Sequence, residues 1–367
     1  MRPSIGIPVG WRLPVLVAGG LALLAGLYAA LLLLGFLLPS PGHALEDVHG
    51  PVMVFGFIGT LIATERAVAL GARWGLLAPA SSGLGGIVLV ATGPGIAGKL
   101  LLAAGAVALL GVYLSLWRRQ HSVAILAQAV GAAAWYAAVL LWLGGFPVSD
   151  TVPWLASFLV ATIAGERLEF AHIGLTRPDA ERWFPVVLAA LVAGGTAATV
   201  WPGGGVHLFG AALLGVAAWL ARFDVARHTI RATGLPRYVA IGLLTGYGWL
   251  TLAGLLWAGA GRITSGPRYD ATLHAVFLGF VMSMVFVHAP VILPALLRRP
   301  LPYHPVLYLP LALLHVSLLL RVGVGDGLGV IWVWRWSGVL NVVSVLGFVA
   351  CAAALAMRRR TAGVVRG

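Results

Sequence analysis

The chain has 367 residues, of which 60% are hydrophobic and 10% charged, with a formal net charge of +13. Soluble domains are about 45–50% apolar and about 25% charged, so a water-soluble globular domain is excluded, and a disordered chain equally so. The basic residues fall between apolar runs, which assigns the positive charge to loops facing anionic lipid and a cytoplasm and not to nucleic acid.

At about 20 residues per crossing, the sequence divides into twelve apolar runs: 13–38, 50–71, 76–92, 98–117, 123–144, 152–174, 183–201, 205–222, 238–259, 270–297, 304–321 and 329–357. The prediction is an all-α polytopic membrane helical bundle forming one integral domain over 1–367. The first run follows Arg2 and Arg12; it is too long for a signal peptide and lacks a small-residue cleavage site, so it reads as a retained span. With the N-terminus cytoplasmic, alternation puts Lys99, Arg262, Arg268, Arg321 and Arg335 outside and Arg66 and Arg167 within spans. All other basic residues fall on the cytoplasmic side. That bias predicts twelve spans with both termini cytoplasmic. The longest loop, Phe223 to Arg237, is a short basic connector, so function belongs inside the membrane or at its surfaces. Cys351, the single cysteine, lies in the last run as a small apolar residue; one thiol excludes a disulfide framework, a thiolate zinc site and an iron–sulfur cluster. Tryptophans such as Trp11, Trp74, Trp201 and Trp332 stand at span ends as an aromatic belt.

Span 2 carries Phe57-Ile-Gly-Thr-Leu-Ile-Ala-Thr-Glu65-Arg66, and span 6 carries Phe158-Leu-Val-Ala-Thr-Ile-Ala-Gly-Glu166-Arg167. Span 10 repeats the Gly56-Phe57 pair as Gly279-Phe280, and His288 follows that phenylalanine at the offset of the two glutamates. Three pseudo-equivalent four-span units follow, at 13–117, 123–222 and 238–357. Glu65, Glu166 and His288 would then share one depth and form a metal site of mixed oxygen and nitrogen ligands or a proton site. The competing reading satisfies each glutamate locally, with Arg66 and Arg167 as the nearest partners.

Ten histidines punctuate the chain. His49 stands at the outer end of span 2 and His274 near the outer end of span 10, in spans that run the same way. Two imidazoles at a similar depth could serve a six-coordinate haem iron, with Gly50, Gly56, Ala275 and Gly279 giving room for a flat macrocycle. They equally fit interfacial histidines bonded to carbonyls or headgroups. His288 lies fourteen residues beyond His274, about 21 Å deeper and within about 40° of the same face of an unbroken α-helix. It is a candidate metal ligand or a structural histidine beside carbonyls released by Pro290. Glu169 and His172 have the i, i+3 spacing of carboxylate-bridged metal sites, and they also suit the polar mouth of a bundle. His315, with Ser317 and Arg321 on span 11, could serve a cofactor carboxylate or a proton path, or simply pack in the core.

The stretch His49-x-x-x-Met53-x-Phe55-Gly56, with His274-x-x-x-x-Gly279 followed by Met284, resembles the haem- and copper-containing NnrS membrane proteins, a family linked to nitric oxide. The four-span repeat also resembles the catalytic subunit of haem–copper oxidases, whose low-spin haem is held by histidines of helices 2 and 10. The resemblance implies a bacterial plasma-membrane protein that binds haem b at His49 and His274, with copper as a second metal. It also implies an electron donor and, if there is turnover, a haem-dependent oxidoreductase. It leaves the oligomeric state open. Two other classes stay open. One is a proton-coupled transporter working through Glu65, Glu166 and His288; the other is a non-catalytic assembly or sensing protein.

Overall fold

Apolar backbone in lipid must satisfy its own hydrogen bonds, and a helix does so within a single segment. In the computed structural model, twelve helices among the described residues are long and apolar enough to cross a membrane. They are α1 (Val9–Leu33), α2 (Leu45–Leu70), α3 (Arg73–Thr92), α4 (Ile96–Arg119), α5 (Val123–Leu143), α6 (Val148–Glu169), α7 (Asp179–Val200), α8 (Pro202–Phe223), α9 (Gly234–Ala260), α10 (Gly266–Leu297), α11 (Pro305–Asp326) and α12 (Ile331–Met357). The structure describes residues 6–39, 43–174 and 178–364, with the side chains of 170–174, 178 and 358–364 outside that description. No strand occurs among the described residues. The chain is an all-α, polytopic, multi-pass membrane protein. Leu24, Leu100 and Leu255 are each more than half exposed, which suits side chains whose solvent is hydrocarbon.

The helices form two compact units. The first contains Met1–Phe170 with Glu181–Trp201, and so α1 to α6 and α7 from Glu181 on; the second contains Ala171–Ala180 with Pro202–Gly367, and so α8 to α12.

In the first unit, small residues let helices touch backbone to backbone, as packing in lipid favours. A Cβ added at Gly86 of α3 would lie 2.8 Å from the Cα of Gly56 on α2. The core is aromatic: Phe55 of α2 stacks on Trp135 of α5 at 5.2 Å between centroids, and Trp135 meets Phe158 of α6 at 5.0 Å. Gly71 ends α2 at φ 75°, the left-handed region that favours glycine. There Arg119 Nη1 donates to the Leu70 carbonyl at 2.7 Å, supplying a cation at a helix C-terminus.

In the second unit, α8 and α9 approach as closely. A Cβ at Gly210 would lie 2.3 Å from Ala258 N. The loop between them holds a one-turn helix, Ala226–Thr229. Buried Asp224 anchors it, accepting from Ala226 N and from the Tyr247 hydroxyl at 2.7 Å each. Phe286 of α10 stacks on Phe348 of α12 at 4.1 Å. Pro290 and Pro294 lie inside a helix that continues to Leu297. Pro290 has no N–H for the carbonyl of Phe286, and the hydroxyl of buried Tyr238 on α9 donates to that carbonyl instead, at 3.4 Å.

Three segments depart from α-helical winding: Val52–Gly59 in α2, Ala275–Met282 in α10 and Leu320–Asp326 in α11 are π-helical. The first two occupy the same register, from five residues before Phe57 or Phe280 to two residues after. The matching stretch of α6 around Phe158 is plain α-helix. In this register, counted along the sequence, the position of His49 corresponds to Thr272 and that of His274 to Pro51.

Candidate functional site

His274 is held in a network that draws on three helices. Its Nδ1 lies 2.8 Å from the Asp270 carbonyl, one turn back, and 3.3 Å from Asp270 Oδ1. Both partners accept only, so Nδ1 carries the proton, and in the neutral ring Nε2 keeps its lone pair. Asp270 is in turn fixed from two other helices. Arg321 of α11 grips it in a fork, Nε to Oδ2 and Nη2 to Oδ1 at 2.8 Å each, and Trp334 Nε1 of α12 donates to Oδ2 at 3.1 Å. The guanidinium carbon of Arg321 lies 5.3 Å from the Trp334 ring centroid, within cation–π range. Asp326, at the end of the π-helical turn of α11, faces the same carboxylate.

His49, in the first unit, also commits Nδ1 to a main-chain carbonyl. Its Nδ1 lies 2.9 Å from the Gly26 carbonyl of α1, which again puts the proton on Nδ1. Of the small residues beside the two histidines, Gly50 has open space where a Cβ would stand, whereas the other two glycines are filled by the protein itself. Gly56 faces Gly86 and Ala22, and Gly279 faces Trp249, whose Cγ would lie 2.4 Å from an added Cβ. The room expected there for a macrocycle is therefore taken by helix packing. His49 belongs to the first unit and His274 to the second.

His288 is buried on α10, with Nδ1 2.9 Å from the Met284 carbonyl. The π-helical segment Ala275–Met282 intervenes between His274 and His288. An i→i+5 turn takes an extra residue, so counting about 100° per residue does not give their relative direction. His315 is locked by packing partners. Trp249 Nε1, a donor only, lies 3.0 Å from its Nδ1, so Nε2 carries the proton toward Thr245 Oγ1 at 3.0 Å. Ser317 instead serves Asn341, and Arg321 serves Asp270, so these three neighbours on α11 have three separate sets of partners.

The ionisable residues at the other end of α2 and α6 form a cluster in the first unit. Arg66 pairs with Glu65, donates through Nη1 to Gln128 Oε1 of α5 at 3.2 Å, and stands 3.8 Å from Glu169 Oε2 of α6. Glu166 lies within electrostatic reach of Glu65 and Arg66, and Tyr113 of α4 faces the same charges. Arg167 is buried. The side chain of His172 lies outside the described residues. Glu65 and Glu166 belong to the first unit and His288 to the second. Among the described residues, no group of three or more His, Cys, Asp or Glu is placed to hold a metal ion.

Four participants were not singled out from the sequence: Asp270, Trp334, Tyr113 and Gln128. Asp270 had a readable signal, standing four residues before His274 on one helical face. The other three come from distant helices and carry no local pattern.

Residues 12–357 match the family model described as a domain of unknown function, DUF8744. No curated protein and no solved structure matches the chain. With the match running from the first spanning helix to the end of the last, the chain belongs to the DUF8744 family.

Proposed function

We propose that this protein is a haem-binding integral membrane protein of NnrS-like type, handling nitric oxide or electrons, with Nε2 of His49 and Nε2 of His274 each a candidate ligand of haem b. The observation that carries this reading is the shared preparation of the two rings. Each commits Nδ1 to a main-chain carbonyl, at 2.9 Å and 2.8 Å, and each precedes a π-helical segment that begins within three residues. A histidine that ligates a metal almost always donates its other ring N–H to such an acceptor, which fixes the tautomer and aims the lone pair. Single π-helical turns are frequent at functional sites. Haem would supply electron-transfer or gas-binding chemistry; the chain's own part is to orient the rings and hold Nδ1 protonated. The basic-residue bias supports cytoplasmic placement of both termini, and the family resemblance supports a bacterial plasma membrane and a separate electron donor.

The test is a visible spectrum of the purified protein, with a pyridine-haemochrome assay and metal analysis. A Soret band and sharp reduced α and β bands are the expected result, lost in His49→Ala and in His274→Ala. Copper beside iron would add the second metal of the resembled family. A colourless, iron-free protein overturns the reading, as does an unchanged spectrum in both variants.

A further inference from the structure

The cluster around Arg66 contains more hydrogen-bond donors than protein acceptors reach. Arg66 Nε, Gln128 Nε2 and the Tyr113 hydroxyl are buried without a hydrogen-bond partner among the described residues. Gln128 is 0% and Tyr113 1% exposed. Gln128 is aimed into the cluster, because its other amide atom accepts from Arg66 Nη1 at 3.2 Å. Unpaired polar groups in an apolar interior cost about 1–3 kcal/mol each, so three helices have brought together an expensive set of atoms. Within their reach stand the carboxylates of Glu65, Glu166 and Glu169. Glu169 is 53% exposed and Glu65 23%, so the cluster opens to the surface on the Glu169 side.

Charge and donor count select the occupant. An anion would accept from the three donors but would face three carboxylates. A metal cation would be drawn to the carboxylates but would meet the Arg66 guanidinium and outward-pointing N–H groups. Water alone accepts from arginine, glutamine and tyrosine while donating to carboxylates, and a buried water needs two to four such partners. We propose that α2, α4, α5 and α6 enclose a water-filled proton site in the first unit, entered past Glu169, with Glu166 and Glu65 as its proton-carrying groups. A hydronium ion gives its proton to a carboxylate oxygen and leaves as water. The carboxylic acid returns that proton to the next water, and nothing is oxidised or reduced. Arg66, tied to Glu65, keeps the two carboxylates from repelling each other out of the site. Among the described residues, the charged and titratable groups facing it are Glu65 and Arg66 from α2, Tyr113 from α4, and Glu166, Arg167 and Glu169 from α6, while α5 adds the neutral Gln128.

Two measurements on the full chain in lipid nanodiscs test this, and neither involves haem, so they fail independently of the haem reading. Radiolytic hydroxyl-radical labelling, read by mass spectrometry, reports water beside a side chain. Tyr113 is expected to be oxidised at least about tenfold faster than Tyr238, which is equally buried but bonded to the Phe286 carbonyl. Equal protection of the two tyrosines overturns the proposal. Infrared difference spectra across a pH step report the proton. A carboxylic C=O band that shifts in D2O is expected, and it should be lost or halved in Glu166→Gln and in Glu65→Gln. Both variants keep the side-chain shape, and Tyr113 labelling checks that the cluster persists. A band unchanged in both variants, with Tyr113 still labelled, overturns the assignment of the proton to these carboxylates.

Discussion

Arg321 holds Asp270 with two parallel bonds of 2.8 Å, and the arginine side chain is 8% exposed. A planar guanidinium matches a carboxylate in this way, whereas an ammonium offers only a point charge. Removing one partner of such a buried pair strands the other charge, at a cost of about 3–5 kcal/mol. Arg321→Leu is therefore expected to lower thermal stability in detergent strongly, with Arg321→Lys between it and the parent. Equal melting temperatures for all three proteins would contradict the argument. Asp270→Asn keeps the shape but strands the buried Arg321 charge, so by the same argument it should also lower the melting temperature. It also takes the negative charge away from His274 Nδ1 while leaving the carbonyl contact, so any haem bound at His274 should keep its ligand and shift in potential. The sequence made His274 legible because a histidine among apolar residues stands out. It left Asp270 unread because a lone acidic residue near a span end resembles any interfacial group. Proximity in sequence groups Arg321 with His315 and Ser317. The helix faces send the three to different partners.

At the level of elements, α10 joins a π-helical segment and two prolines in one membrane-spanning helix. The helix survives Pro290 because a neighbouring hydroxyl takes over the carbonyl of Phe286. Hydrogen bonds between membrane helices average about 0.6 kcal/mol in double-mutant cycles. Tyr238→Phe should cost about that much in the parent and close to nothing in a Pro290→Ala background, where the restored N–H serves Phe286. An equal cost in both backgrounds would mean that the Tyr238 hydroxyl is not replacing the ladder bond. Helix packing gives a sharper case. Gly86→Ala puts a methyl group 2.8 Å from the Cα of Gly56, against backbone that cannot rotate away. Overpacking of this kind costs about 1–3 kcal/mol, readable as a lower melting temperature, whereas Gly248→Ala, with nothing within 4 Å, should be neutral. Span positions were legible throughout because hydropathy reports them directly. The π-helical segments were not, since no residue pattern distinguishes an i→i+5 turn inside an apolar run. That hidden winding is why the α-helical count from His274 to His288 does not hold.

For the whole molecule, the net charge of +13 is a statement about topology. Many of the basic residues stand in short connectors or at the ends of the twelve apolar helices, and membranes sort such connectors by lysine and arginine content. The connector between α8 and α9 carries Arg227 and Arg231, and Arg222 ends α8. The connector between α5 and α6, around Gly145, carries no basic residue. These two stretches are separated by three spans, α6, α7 and α8, so they must lie on opposite sides if every helix crosses. Truncated reporter fusions after Arg231 and after Gly145 are therefore expected to give opposite signals, cytoplasmic for Arg231 and external for Gly145. Adding arginines on either side of Gly145 should oppose the native bias and yield mixed orientation or poor insertion. Identical sidedness of the two parent fusions would mean that one of the three intervening helices does not cross. The orientation also fixes the direction of the proton site. Glu169 ends α6 on the same side as Arg231, so a cytoplasmic signal at Arg231 makes the cluster at Arg66 a site that draws protons from the cytoplasm. An external signal at Arg231 would turn it into one that exchanges protons with the outside.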